Sequence, residues 1–197
     1  MALYAAKKSL RNQLKDILKN IPPEEKVLQS NIVVNKLLQS SVYKNSKRIS
    51  VYLSRDIEID TRSILRSMFS SGKECFIPKY DSKSTNMEMV KLNSLDEFEN
   101  LPETSWKIKQ PLDSDVSHEN ALNSDGLDLI IVPGIGFTKN GDRIGNGKGY
   151  YDIYLNRCRE KFGNRFSTIA LAFREQVVPN IPTSENDVKI DQVLYPE

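Results

Sequence analysis

Among its 197 residues the chain has two cysteines, one histidine and one tryptophan. Cys75 and Cys158 are too few for a disulfide framework, so a reducing cytoplasm is the expected compartment. With His118 as the only histidine, a zinc site or a redox pair has little to complete it. His118 lies in SDVSHEN without apolar neighbours and is expected to be a solvated loop residue. No stretch is long and apolar enough to span a bilayer. The opening MALYAAKKSLRNQ has neither an apolar core nor a small-residue cleavage site, and its helical pattern together with Asp16 reads as a structural helix. Excess charge is also missing. The net charge is +2 with both signs interspersed, so neither nucleic acid nor a membrane is an expected partner and any anion site must be local.

Glycine is scarce too, with nine in all, yet six of them fall at Gly134, Gly136, Gly141, Gly145, Gly147 and Gly149. They lie in LDLIIVPGIGFTKNGDRIGNGKGYYD, residues 127–152. The apolar start, 127–132, is short and β-branched and predicts a buried strand. From Tyr150 the pattern turns helical and stops at Gly163. Strand, glycine loop and helix together form a layout for binding anions through converging backbone N–H groups and a helix N-terminus. Two familiar phosphate motifs fail here. A P-loop would need glycine at Asp142 and Ser or Thr at Gly149, and a dinucleotide fingerprint starting at Gly134 would need glycine at Lys139. Glycines alone would suit a long turn, but Arg143, Lys148 and Asp152 on the same arc favour a phosphate site.

Along the rest of the chain, Leu10, Leu14, Ile17 and Leu18 predict an amphipathic helix over 4–20, ended by Pro22 and Pro23. A second helix over about 24–40 would pack through Val27, Leu28, Ile32, Val34, Leu37 and Leu38. RISVYL, 48–53, alternates as a strand. Asp60 or Thr61 would then cap a helix that turns Ile64, Leu65, Met68 and Phe69 inward and stops at Gly72. The intervening SRDIEID falls at the carboxyl end of a strand, where open α/β sheets place ligands. ECFIPKY, 74–80, is a strand whose Pro78 suggests that pairing ends there or that the strand is at an edge. MEMVKL, 87–92, is its hairpin partner, 93–123 is a polar irregular insertion, and 167–173 is another strand. The expected fold is a single three-layer α/β domain over 1–197. Its central sheet is mixed but largely parallel, with helices on both faces, and at this length it would bury roughly 70% of the unfolded surface.

GDRIGNGKGYYD, with FIPKY, the early KKSLR and the late ENDVKIDQV, resembles the 5-formyltetrahydrofolate cyclo-ligase, or methenyltetrahydrofolate synthetase, family. The likeness spans almost the whole chain. Asn146 departs from the pattern, since members often carry a basic or larger side chain there. The resemblance implies an ATP- and Mg²⁺-dependent enzyme that closes 5-formyltetrahydrofolate, with or without a polyglutamate tail, to 5,10-methenyltetrahydrofolate. It would act as a monomer. By the same resemblance ATP falls to Lys7, Lys8, Ser9, Leu10 and Arg11 and to the run Arg143, Ile144, Gly145, Asn146, Gly147, Lys148, Gly149, Tyr150 and Tyr151. Lys148 and Arg143 are the expected catalytic residues, with Lys148 inside the glycine nest. Leu53, Glu58, Trp106, Asn146, Gly147, Lys148, Gly149 and Tyr150 would meet the folate, with Tyr80 a further candidate for ring contact, and Asp152 and Asp187 would hold Mg²⁺. Two other classes fit the residues less well. One is a phosphate-binding sugar isomerase or acyl-transfer enzyme, and the other is a nucleotide-binding regulatory module.

Overall fold

The computed structural model describes residues 2–81, 84–104, 108–112, 114–115 and 117–197. In chain order the elements are α1 (Ala2–Lys19), α2 (Pro23–Gln39), α3 (Ser41–Asn45), β1 (Arg48–Ser50), α4 (Arg62–Ser70), β2 (Glu74–Tyr80), β3 (Met87–Leu92) and α5 (Leu95–Asn100). There follow β4 (Leu129–Val132), β5 (Gly136–Phe137), β6 (Arg143–Ile144), α6 (Tyr150–Phe162), β7 (Ser167–Leu171) and β8 (Gln192–Leu194). Six strands form the central sheet in the order β3-β2-β1-β4-β7-β8, and β5 and β6 pair as a separate ribbon. Only β3 runs antiparallel to its neighbour in the large sheet. This is the mixed, largely parallel α/β sheet that the alternation of patterns predicts.

The strands are apolar on both sides because both sides are covered. Ile49, Cys75, Ile77, Leu129, Ile131 and Ile169 point to one face, against Leu18 of α1, Val33 and Leu37 of α2 and Ile64, Leu65 and Met68 of α4. Phe76, Met89, Ile130, Val132 and Ala170 point to the other, against Tyr151, Tyr154, Leu155 and Cys158 of α6. Burial raises both thiols, Cys158 to about 11, so neither is poised as a nucleophile.

Several elements differ from the sequence reading. Val27 and Leu28 are exposed, while α2 buries Gln29, Ser30, Val33, Val34 and Leu37. The reason is tertiary: Gln29 takes polar partners from the turn that follows β7, donating to Glu175 and accepting from the backbone N–H of Arg174 at 2.8 Å. Of the two expected caps, Asp60 serves the helix start, its side chain accepting the first-turn N–H of Arg62 at 2.9 Å, whereas Thr61 makes no side-chain cap and its hydroxyl donates to the Tyr52 carbonyl at 2.7 Å. β1 ends at Ser50, and 51–53 leave the ladder after the Val51 N–H bonds to the Phe76 carbonyl. β2 is internal, yet its pairing with β1 reaches only Phe76, so Pro78 meets that ladder after it has ended. The polar insertion contains α5, whose Ser94 cap accepts from the Glu97 N–H, and a short 3₁₀ turn at Ala121–Asn123. His118 is not solvated. Its side chain is 8% exposed, with Nδ1 2.9 Å from the Lys91 carbonyl and Nε2 3.2 Å from an Asp115 oxygen.

Candidate active site

A cavity of about 450 Å³ opens at the carboxyl edge of the sheet. The loops after β1 and β4 build most of it with the last residues of β2 and the first turn of α6, α1 crosses over one side, and Asp187 approaches from the segment before β8. Six cations (Lys7, Arg11, Lys15, Arg55, Arg143 and Lys148) and three carboxylates (Glu58, Asp152 and Asp187) line it. The lining therefore carries three more positive than negative side chains, which matches a polyanion.

The glycine-rich stretch divides between architecture and site. Gly134, Gly145, Gly147 and Gly149 line the cavity, whereas Gly136 and Gly141 serve the β5–β6 ribbon and its packing. At Gly141, φ is +92° and an added Cβ would stand 2.0 Å from the Ile190 carbonyl oxygen, so backbone packs on backbone and no side chain fits. Gly149 caps α6 at φ +75°, the left-handed turn that lets the arc run directly into the helix.

Arg143 lies below this arc and is almost wholly buried. It donates to an Asp152 carboxylate oxygen at 2.7 Å and to the Pro133 carbonyl at 3.1 Å, while its Nε has no hydrogen-bond partner among the described residues. The other Asp152 oxygen accepts the Val188 N–H at 3.0 Å, which joins α6 to the segment before β8. Lys7 pairs with Asp187, whose same oxygen, Oδ2, accepts from the Ser184 N–H and hydroxyl. Burial disfavours the Asp187 carboxylate, but the Lys7 and Ser184 donors outweigh it and hold the group below the usual carboxylate value. Its Oδ1 accepts no hydrogen bond among the described residues. Arg11 donates through Nε to the Gly145 carbonyl at 2.8 Å, so α1 ties into the glycine arc directly.

The same lining holds Leu53, Glu58 and the rings of Tyr52, Tyr80 and Tyr151, the last with its ring centre 5.8 Å from the Arg143 guanidinium. Burial raises all three phenols, and the adjacent Glu58 carboxylate adds to the effect, so each stays a neutral hydroxyl. The Tyr151 hydroxyl is buried and has no hydrogen-bond partner among the described residues. Tyr80 and Tyr150 meet edge to face at 5.0 Å between ring centres.

The cavity thus brings together Lys7, Arg11, Leu53, Glu58, Tyr80, the run 143–152 and Asp187. Lys8 and Ser9 are exposed and do not line it, and Leu10 packs instead near Ile135 and Ile144. Lys148 is exposed with Asn146 and Gly147 at the mouth rather than enclosed in the nest. Trp106 lies outside the described residues. The sequence reading passed over two cations. Lys15 continues the Lys7 and Arg11 face at spacing four, which was the signal for it, and Arg55 stands three positions before Glu58 in the same loop.

The sequence pattern of the 5-formyltetrahydrofolate cyclo-ligase family matches residues 4–196. A mouse protein named 5-formyltetrahydrofolate cyclo-ligase is 48% identical over 195 residues, covering 99% of this chain and 96% of its own length. A Caenorhabditis elegans protein named probable 5-formyltetrahydrofolate cyclo-ligase is 40% identical, covering 98% and 94%. The solution structure of 5,10-methenyltetrahydrofolate synthetase from Aquifex aeolicus superposes with a TM-score of 0.76 at 25% identity, covering 95% of this chain and 88% of that one. With its sequence matched almost from end to end and its fold shared, the chain is an enzyme of the 5-formyltetrahydrofolate cyclo-ligase family.

Proposed function

We propose that the enzyme converts 5-formyltetrahydrofolate to 5,10-methenyltetrahydrofolate at the expense of ATP, releasing ADP and phosphate. The observation that carries this reading is one cavity with two unlike sets of lining groups. A cationic glycine arc suits phosphates, and a buried carboxylate among neutral phenols suits the N–H donors of a reduced pterin. The chemistry explains why both must open into the same space. An amide oxygen leaves poorly, so it must first become a phosphate ester. In this reading the formyl oxygen attacks the γ-phosphorus, the bond to ADP breaks, and an imidate-like phosphate forms. N10 then adds to the formyl carbon and loses its proton, and the C–O bond breaks with phosphate as the leaving group. The oxygen departs as phosphate rather than hydroxide, so the phosphoryl step needs positioning and charge neutralisation more than proton transfer.

Arg143 and Lys148 would neutralise the transferring group, with Lys148 swinging in from the mouth. Lys7, Arg11 and the N–H groups of 144–151 would hold the remaining phosphates and the nucleotide. Leu53, Glu58, Tyr150 and the arc 146–149 would seat the folate. The two carboxylates fit a hard cation, because Asp187 keeps a free oxygen and Asp152 stands beside the same segment. When bound there, Mg²⁺ would offset the negative charge of the phosphates. Lys7 and Arg143, now paired with these carboxylates, would then turn to the phosphates. The chain would work as one domain over 1–197, as a monomer, in the cytoplasm, and would accept a substrate with or without a polyglutamate tail. Among the described residues no helix is long and apolar enough to cross a membrane.

The test follows methenyl absorbance and ADP release together, with Mg·ATP and 5-formyltetrahydrofolate. One ADP per methenyl product is expected. ATP consumption indifferent to folate, or product without ATP, would overturn the proposal.

A further inference from the structure

Leu53, Arg55, Glu58 and Ile108 line both the active cavity and a second one of about 720 Å³, so they form the wall between the two. Within that wall Arg55 and Glu58 close on each other. The Glu58 N–H donates to the Arg55 carbonyl at 2.9 Å, which makes a tight turn. The carboxylate folds back over the turn. Its Oε2 accepts the Arg55 backbone N–H at 2.9 Å and its Oε1 accepts Nη2 at 2.9 Å. The Glu58 side chain is 6% exposed, whereas the guanidinium is 38% exposed.

Each oxygen of an ionised carboxylate can accept about two hydrogen bonds, so Nη2 leaves one place on Oε1, while Oε2 also takes the Arg55 Nε at 3.5 Å, a long bond that a better-placed donor would replace. The surroundings keep Arg55 where it is. Burial and the nearby Arg55 charge both lower Lys15 on α1, so a turn of the guanidinium toward α1 would meet repulsion. The rings of Tyr52, Tyr80 and Tyr151 surround the carboxylate with neutral hydroxyls and bring no second cation.

From this geometry we infer that Arg55 is a positioning residue. It fixes the Glu58 carboxylate so that its remaining acceptor capacity meets the adjacent N–H donors on the 2-amino-4-oxopyrimidine edge of the reduced pterin. The inference rests on the proposed function of Glu58 and deepens it. It also predicts that Arg55 acts through Glu58 alone, because the hydrogen bonds that its guanidinium makes among the described residues go to that carboxylate.

The test compares steady-state kinetics of the parent, Arg55→Ala, Arg55→Lys, Glu58→Gln and the Arg55→Ala/Glu58→Gln double variant. Losing a charged hydrogen-bond partner should raise KM for 5-formyltetrahydrofolate about tenfold in Arg55→Ala, with kcat and the KM for ATP within roughly twofold of the parent. Arg55→Lys should recover part of that loss. In the Glu58→Gln background, Arg55→Ala should add less than about twofold, since the group it positions has already lost its charge. Should the alanine variant fail to fold, Arg55→Gln keeps most of the stem and takes its place. An unchanged folate KM in Arg55→Ala overturns the inference, and so do fully additive effects, which would mean that Arg55 touches the ligand itself. If Glu58→Gln leaves folate binding intact, the role of Glu58 falls and this inference falls with it. Only a parent enzyme that forms no methenyl product would overturn the functional reading as well.

Discussion

Two buried arginines stand near opposite edges of the same sheet, and they are treated differently. Arg48, at the start of β1, donates to the Gly126 carbonyl at 2.7 Å, to Glu74 at 2.9 Å, to Glu119 at 2.8 Å and to the Ser124 hydroxyl at 2.9 Å. Its guanidinium also lies 4.7 Å from the centre of the Phe76 ring. Arg143, beyond the carboxyl end of β4, is the more deeply buried of the two, with 5% of its side chain exposed against 14%. Yet its Nε is unpartnered, and the Tyr151 hydroxyl nearby is unpartnered too. A buried donor left unmade costs roughly 1–3 kcal/mol. The fold bears that cost at Arg143 and avoids it at Arg48. A closed network holds strands together, and an open one waits for a ligand.

Breaking the open arginine should give the largest effect. Arg143→Ala is expected to lower kcat by roughly 10²–10³-fold, the loss seen when one preorganised donor is removed from a transition state. Circular dichroism and melting would confirm a folded protein, and a folded variant with near-normal turnover would end the catalytic assignment. Arg48→Ala tests the closed arginine. Its partners are partly exposed, so a loss of roughly 2–3 kcal/mol is expected, below the value for a fully buried pair, with turnover per folded molecule unchanged. Urea melts would measure it, and a fall in kcat without a fall in stability would erase the contrast between the two edges.

A smaller effect is expected at the second open position. Asp187→Asn should raise the Mg²⁺ concentration for half-maximal activity roughly tenfold, about 1.4 kcal/mol. A magnesium titration at fixed ATP would check it, and an unchanged curve would remove Asp187 from the metal site.

Protonation should touch both edges most gently. Burial opposes the charge on Glu119 and on Asp187, but Ser124 and Arg48 at one edge and Lys7 and Ser184 at the other more than compensate, so both are lowered. Their contribution to stability is fully present above the ordinary values of 4.5 and 3.8 and is lost as pH falls through the lower folded values. At the alkaline side Cys158 works in the opposite sense. Its contribution is intact below 9.0 and fades as pH rises toward about 11. Melting temperatures across pH 3–11 should therefore fall at both ends, and a flat profile below pH 4.5 would contradict the depressed carboxylates.

Much of this could be read from the sequence where one local signal acts alone. ECFIPKY and MEMVKL mark β2 and β3 to the residue, and Gly163 ends α6 because glycine accepts φ +62°. Signals failed where a distant partner decides. Val27 and Leu28 look like core, but Gln29 wins the inward face through Glu175 and Arg174. The polar sequence around His118 hides its burial, which comes from Lys91 on the neighbouring strand. In the site, Lys7, Arg11 and Glu58 were legible through the family pattern. Arg55 was not legible, because its place comes from a turn that folds the Glu58 carboxylate back onto it. The enclosure expected for Lys148 failed for another reason, since a glycine arc can expose a side chain as readily as bury it.

The Lys7–Asp187 pair joins residues 180 positions apart. During synthesis, therefore, the cationic lining of the cavity cannot be completed when α1 folds, nor when the glycine arc and α6 have formed around it. It must wait for the segment before β8. Until then Arg143 would have Asp152 beside it, but Lys7 would lack its carboxylate. A chain stopped just before Ser184 is accordingly expected to keep β1–β7 and to bind no Mg·ATP, which calorimetry of the truncated protein would reveal. Binding activity would then appear in one step, only once the segment before β8 has arrived.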